Sequence, residues 1–422
     1  MGIKKREVFI VCFIAALILL IGCQPDSGKY QNEQNRDSIN APQESFQSGA
    51  KQRGLFGEEC EGSGSFKFKT FPLDAEDVEA IIPMGRVQDS HVTPTDHQYI
   101  HPKGIKSGSM VTDNPEQYEI RAPADGYIIS VELFREPIEE AYKNQEYSDN
   151  YLVIIGHSCT FYSEMIHIDT LKPEILSQIS FQSPDSQHPF GRGRVPVKEG
   201  EVIGTVGARS FDFFITDTEV DLNYIDPGHY SGNFQPWKTH VVDTFDYLEE
   251  PLRSQLLKKD IRKVEPYGGK IDFDAEGRLS GNWYLDWNPE KVEEIIREYW
   301  TKELSIVYDH IDPSQIRISL GEFGGYPRAH GVAGNAPDPA EIGVEDGMIK
   351  YELVRFDYYD KDGNKWDAFS YAEGIHAKNS EEAQGVVLLE MIEPRKLKVE
   401  VFPYVNPSEV TGFTEDALIY ER

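Results

Sequence analysis

Three histidines and an aspartate fall within eleven residues in the run Ser90-His-Val-Thr-Pro-Thr-Asp-His-Gln-Tyr-Ile-His: His91, Asp96, His97 and His101. The chain has only eleven histidines in 422 residues, so the cluster is dense. Imidazole and carboxylate both ligate zinc, and His97 with His101 or with Asp96 is a candidate metal set. The bland alternative is a polar surface loop whose histidines hydrogen-bond locally. A further histidine, His167, stands between Ile166 and Ile168. In that setting alone it reads as a satisfied histidine on a strand that flanks the core. His330 and His376 lie in Gly- and Ala-rich stretches with no partner motif, and both are expected in loops.

The elements that would position these groups read as β structure from Tyr118 to Ile215. Asp125-Gly126 and Glu199-Gly200 are turn dipeptides between β-branched, apolar runs, so they predict hairpins or tight strand corners. Alternation over Gln117 to Phe134 predicts two strands about Asp125-Gly126. Leu152 to Ile155 is wholly apolar and predicts a strand buried on both faces, with Thr160 to Ile168 as its hairpin partner; Asp149-Asn150 reads as a turn. The stretch from Arg135 to Ser148 is charged, a helix or loop, and the Pro-rich stretch from Lys172 to Arg194 predicts a long loop. Asp221 to Pro236 is a further loop. Phe245, Leu248, Leu252, Leu256 and Leu257 recur at helical spacing and predict an amphipathic helix over 244–259 despite Pro251.

Taken together, Ala122-Pro-Ala-Asp-Gly, the strand ending Gly156-His157, Tyr162-Ser-Glu-Met-Ile-His and Val197-Lys-Glu-Gly-Glu-Val-Ile-Gly-Thr-Val-Gly resemble the M23 family. These are LytM-like zinc metallopeptidases that cut peptide cross-links in bacterial cell walls, and the resemblance covers roughly residues 83 to 220. It implies a zinc cofactor, His167 as the catalytic general base or transition-state histidine, and a first metal motif His-x-x-x-Asp near His91 to His101, whose spacing is not reproduced: His91 to Asp96 is one residue too long, and His97 to His101 has the interval with a histidine as second ligand. It also implies a groove over the sheet, rimmed by the 172–194 loop, where substrate lies. The family's last strand carries His-x-His, one zinc ligand and one catalytic imidazole. Here that strand reads Ser210-Phe-Asp212. Asp212 can replace a ligand, whereas a serine cannot replace a catalytic imidazole. The metal candidates are therefore His91, Asp96, His97, His101 and Asp212, with His167 catalytic if the domain is active. Biotinyl and lipoyl carrier domains share the hairpin pattern but need a lysine exposed in a turn midway, and none stands there.

Lys4, Lys5 and Arg6, an apolar run from Val8 to Ile21, and Leu20-Ile21-Gly22-Cys23 resemble a lipoprotein signal with a lipobox. Cys23 is the expected lipid attachment site, which places the rest of the chain outside the cytoplasm, anchored to the membrane. Residues 24–58 are polar and predict a flexible tether. The net charge is -30, and residues 1–22 contribute +2, which leaves about -32 for the remainder. Such acidity excludes nucleic acid as a partner. Cys60 and Cys159 remain as a candidate disulfide or as two buried thiols.

The domains expected are 1–23 signal, 24–58 tether, 60–258 M23-like, and 271–422 a second β domain, with Lys258 to Lys270 as linker. Gly281-x-Trp283 at the head of the second domain resembles the opening strand of lipocalin-like (calycin) barrels, whose tryptophan packs on a basic residue of the last strand; Arg422 is the candidate. Strands are expected over 316–320, 348–358, 385–392, 396–402 and 417–420, and a helix over 289–304. The fold expected is mostly β: an antiparallel M23-like domain, then a lipocalin-like barrel or sandwich. Three functions compete: a non-hydrolytic lipoprotein binding cell-envelope peptide, glycan or a protein partner; a zinc peptidase with non-standard ligands; and a carrier of a small ligand in the barrel.

Overall fold

The computed structural model describes residues 52–88, 91–105, 114–137, 147–184, 188–232, 235–285 and 299–422. Cys23 and most of the tether lie outside these residues. The described chain is mostly β, and its C-terminal part closes into an eight-stranded antiparallel barrel.

The N-terminal part contains β1 (Val78–Ile82), β2 (Gln98–Pro102), β3 (Tyr118–Arg121), β4 (Gly126–Pro137), β5 (Tyr147–Gly156) and β6 (Phe161–Ile168). It continues with β7 (Thr170–Leu171), β8 (Ser180–Gln182), β9 (Phe190–Val197), β10 (Val202–Val206), β11 (Phe211–Asp217) and β12 (Val241–Val242). The main sheet runs β1-β2-β11-β6-β5-β4-β9-β8 with β12 on β11, and β3-β10-β7 form a second, smaller sheet. The strands on either side of Asp125-Gly126 do not pair with each other. β3 joins β10 in the small sheet, and β4 joins β5 and β9 in the large one. Glu199-Gly200 likewise passes the chain from β9 to β10, so both dipeptides are corners between sheets. Asp125 locks the two corners together, its carboxylate accepting from Glu199 N (2.9 Å) and Lys198 Nζ (2.7 Å).

Alternation divides the main sheet into two faces. Phe211, Phe213 and Ile215 of β11, and Phe161 and Met165 of β6, enter the large core. Asp212, Phe214 and Thr216 occupy the other face, opposite Ile166, Glu164 and Tyr162. This second face, labelled the groove face after the groove that the resemblance implies, is the one that carries Asp212.

Several expected elements differ. Asn150 is a strand residue of β5, and β4 and β5 extend further than expected, leaving 138–146 outside the described residues. The 172–194 stretch contains α1 (Pro173–Leu176), β8 and the start of β9. The 221–236 stretch holds α2 (Pro227–Gly232), and the 244–259 helix is broken. A tight turn at Thr244–Tyr247 and α3 (Leu252–Leu257) flank Leu248–Pro251, because Pro251 has no N–H to continue a helix. The apolar residues of that pattern still pack on the large core: Leu248 bridges to Phe68, Phe245, Leu248 and Leu256 are buried in the core, and Leu252 and Leu257 lie partly buried against it.

The barrel is built from β13 (Gly281–Leu285), β14 (Glu303–Tyr308), β15 (Ile316–Leu320) and β16 (Arg328–Val332). β17 (Met348–Tyr359), β18 (His376–Glu393), β19 (Lys396–Pro403) and β20 (Leu418–Glu421) complete it, and β20 pairs with β13 to close the ring. Closure leaves no open edge. The helix expected over 289–304 is corrected at its described end, where Tyr299–Lys302 is a single tight turn and Glu303 begins β14. His330 is also corrected: it lies within β16 and is 1% exposed, and His376 opens β18. Trp283 is fully buried and Arg422 lies 3.9 Å over its ring. Gly281 has a φ of 121°, and a Cβ there would meet Asp274 and the Arg422 guanidinium, so only glycine fits two residues before this tryptophan.

The two parts are packed together. Met84, Phe214, Tyr230, Ile271 and Tyr284 form one shared apolar cluster, and Ala80, Ile82, Ile261, Ile311 and Ile375 another. Residues 258–270, expected as a linker, carry buried Asp260, Ile261 and Arg262. The stretch bridges to Ile81 and Met84, and Arg262 donates to His310 O (2.7 Å).

Candidate functional site

His97, just before β2, Asp212 of β11 and His167 of β6 meet on the groove face. Strand order makes this possible, since β11 lies between β2 and β6. Asp212 pairs across the ladders with Tyr99 on one side and Ile166 on the other. His97 Nε2 and His167 Nε2 lie 3.5 and 3.6 Å from the same oxygen, Asp212 Oδ2. These are ion-pair distances, too long for good hydrogen bonds.

His167 reaches Asp212 through a backbone irregularity. Between Val153↔Met165 and Tyr151↔Ile168 the register slips, with one extra residue on β6. His167 sits in that bulge with a φ of 68°, left-handed for a non-glycine residue. Such a conformation costs about 1–3 kcal/mol and tends to persist where a side chain must be aimed. Asn150 Oδ1 lies 2.9 Å from His167 Nδ1 and fixes the ring. Burial first, then the charges of Arg209 and His97, hold the His167 imidazole well below its ordinary value, so it is neutral. Arg209 is itself buried and paired with Asp169 at 3.4 Å.

His97 is the opposite case. Burial disfavours its charge, but Asp212 and Asp96 outweigh burial and raise it above its ordinary value. Asp96 Oδ1 lies 2.9 Å from His97 Nδ1, and Asp96 Oδ2 accepts from the Trp237 indole at 2.8 Å. Burial works against the Asp96 charge too, and His97, Lys238 and Trp237 overcome it and hold that carboxyl low. His91 stacks edge-on to His97 at 5.7 Å and is pushed down to about 3 by burial and by His97. His97 thus stands between two carboxylates that favour its charged form, beside two imidazoles, His91 and His167, whose charged forms burial disfavours.

His101 is not part of it. Four residues of strand span about 13 Å, so His97 and His101 can share a face but not an ion. His101 Nδ1 instead meets Phe369 O at 3.0 Å, and its ring stacks on Phe369. Of the candidate metal residues, His101 thus lies apart, and both Asp96 oxygens are engaged by His97 and Trp237. Among the described residues no group of three or more His, Cys, Asp or Glu is disposed to hold a metal ion.

Trp237, Lys238 and Asn150 complete the site without having been singled out in the sequence. Buried Lys238 donates to Thr93 Oγ1 (3.1 Å) in the loop that carries Asp96 and His97. Glu303 of the barrel lies beside the same pair, and burial pushes it up to about 7 against the pull of Lys238 and Thr93. A tryptophan 141 residues from its carboxylate partner leaves no local signal.

Two more carboxyls lie on the groove face. Glu164 accepts from Thr216 Oγ1 (2.9 Å), and burial raises it well above its ordinary value. Glu132, 3% exposed, is pushed by burial up to about 8. Its folded value is raised, so the stability it contributes is full below about 4.5 and is lost as pH rises through 8. Glu132→Gln is expected to be near neutral at pH 5 and stabilising by about 2–3 kcal/mol at pH 8.5 in urea unfolding. Equal effects at both pH values would mean that Glu132 is charged in the folded protein.

The chain matches no known family model, no curated protein and no solved structure.

Proposed function

We propose that this protein is an extracytoplasmic lipoprotein, anchored to the membrane through lipid on Cys23, whose M23-like N-terminal domain binds cell-wall peptide without cutting it. The observation that carries the reading is the make-up of the groove face. Where the resembled peptidases have a reaction centre, this face presents His97 between Asp96 and Asp212, and Ser210 stands where a second catalytic imidazole would be. Fixed polar groups of this kind can orient peptide amides and cationic side chains. They lack the paired acid and base that hydrolysis needs. The lipocalin-like barrel, with Arg422 over Trp283, is read as the second half of a binding protein.

Purified protein is expected to co-sediment with insoluble cell wall, and His97→Ala or Asp212→Ala to weaken that binding by about tenfold or more, in line with loss of a buried charged partner. Binding to soluble glycan or to a protein partner alone would redirect the reading, and no co-sedimentation would sink it. One equivalent of bound zinc would favour a zinc peptidase. A small molecule that co-purifies in native mass spectrometry would favour the carrier. The anchor is tested separately: a radioactive fatty acid is expected to label the wild type and spare Cys23→Ser, and equal labelling of both would remove Cys23 as the attachment site.

A further inference from the structure

The groove-face site is closed. His97 and His167 are 7% exposed and Asp212 is 4% exposed, so an incoming chain first meets what covers them. Two bodies cover the face. The barrel is one, held by two apolar clusters and by hydrogen bonds from Asn282 (2.7 Å) and Tyr284 (2.5 Å) to Tyr230 OH.

The other is a small loop, residues 52–60, closed on itself by Gly54 N→Glu58 O (3.0 Å) and Cys60 N→Gln52 O (3.2 Å). It lays Leu55 and Phe56 against the groove-face cluster of Ile129, Leu152, Ile154 and Tyr162. Phe56 is edge-on to Tyr162 at 5.2 Å and stacked with Trp237 at 6.1 Å. Leu55 N donates to Tyr162 OH (2.9 Å), and that hydroxyl donates to Glu58 Oε1 (2.8 Å). Trp237 is the same indole that holds Asp96. The loop thus reaches the site through one aromatic side chain, as a bound peptide would.

Leu55 and Phe56 are only half-buried, so packing alone holds this loop far less firmly than it holds the barrel. A covalent tie adds to it: Cys60 is disulfide-bonded to Cys159, 99 residues away at the β5–β6 turn. The bond keeps the C-terminal end of the loop at that turn, so the loop cannot swing away from the sheet while the disulfide stands.

We propose that residues 52–60 are an internal occupant of the groove, latched by the Cys60–Cys159 disulfide, and that reduction of the latch opens the Tyr162–Trp237 cleft to an apolar side chain of an incoming peptide. The step is thiol–disulfide exchange with an external dithiol. Its thiolate attacks Sγ of half-buried Cys60 and expels the Cys159 thiolate; its second thiol then attacks the mixed disulfide and releases Cys60. Two electrons and two protons pass to the protein, leaving two thiols on the chain and a disulfide on the reductant. The inference rests on the groove as the peptide-binding site.

The test uses the full chain, oxidised, treated with dithiothreitol, and as Cys60→Ser/Cys159→Ser, with Phe56→Ala in the oxidised form. Hydrogen exchange over residues 52–60 is expected to rise about tenfold or more when the disulfide is lost. Retention on insoluble cell wall is expected to rise several-fold, with Phe56→Ala giving part of that gain. Unchanged exchange after reduction, confirmed by mass, overturns the latch, as does equal retention by oxidised and reduced forms that bind. Increased exchange with no retention in any form leaves the latch standing and removes the groove as the cell-wall site. Should the double serine variant fail to fold, the dithiothreitol arm decides alone.

Discussion

Arg422→Ala is expected to destabilise the barrel by about 3–5 kcal/mol, the range for breaking a buried charged network. Its guanidinium covers the ring of fully buried Trp283 and donates to the carbonyls of Ser280 (2.6 Å), Ala275 (2.7 Å) and Arg278. Truncation leaves three backbone acceptors of the 275–280 turn without their donor and exposes the floor of the core. Burial pulls the Arg422 charge down to about 10, partly offset by Asp274 and Glu276, so the arginine remains charged at neutral pH. Arg422→Lys keeps the charge but not the planar fork, and is expected to recover only part of the loss. Denaturant unfolding followed by tryptophan fluorescence measures both. A cost under about 1 kcal/mol for Ala would mean that the contact with Trp283 is incidental to closure.

That contact was legible because both partners announce themselves by type: a tryptophan two residues after a glycine, and an arginine after the final apolar strand. The strands of the second half that alternate over five or more residues were legible in the same way, and 316–320 and 396–402 fall within a residue of β15 and β19. β14 and β16 were not. Glu303 and Lys302 follow a charged run that reads as helix, and Arg328-Ala-His-Gly-Val has no alternation to read. Both are strands because their neighbours in the closing ring demand partners, which is a tertiary cause. The site divides similarly. His97, His167 and Asp212 could be nominated from side-chain chemistry and from the order of glycine landmarks, before any geometry. Which of the clustered histidines would join them could not, because it depends on where β2 begins. His97 precedes the strand and turns toward Asp212, and His101 ends up beside Phe369, a residue 268 positions away. Trp237, Lys238 and the covering loop at Leu55–Phe56 belong to long-range packing, and no window of sequence contains both sides of those contacts.

Purified cell walls are expected to release no detectable soluble peptide when incubated with the wild-type protein, about a hundredfold or more below the release given by Ser210→His/Asp212→His. The resembled peptidases need two imidazoles from the last strand, one on metal and one over the scissile bond. β11 delivers Asp212 between β2 and β6, so an imidazole at that position would stand beside His97 and His167. Ser210, two residues earlier, cannot stand in. Its Oγ is buried with no hydrogen-bond partner among the described residues, so no base activates it. A hydroxyl neither titrates near pH 7 nor carries the positive charge that an oxyanion attracts. Loss of one such donor typically costs roughly a hundred- to a thousandfold in rate. His167 alone does not compensate, because burial and the charges around it keep it neutral, with Nδ1 committed to Asn150. Release by the wild type that disappears in His167→Ala and on chelation would overturn this and install the zinc peptidase. A folded double variant that binds cell wall but releases nothing would show that the likeness to those enzymes stops at the shape of the sheet.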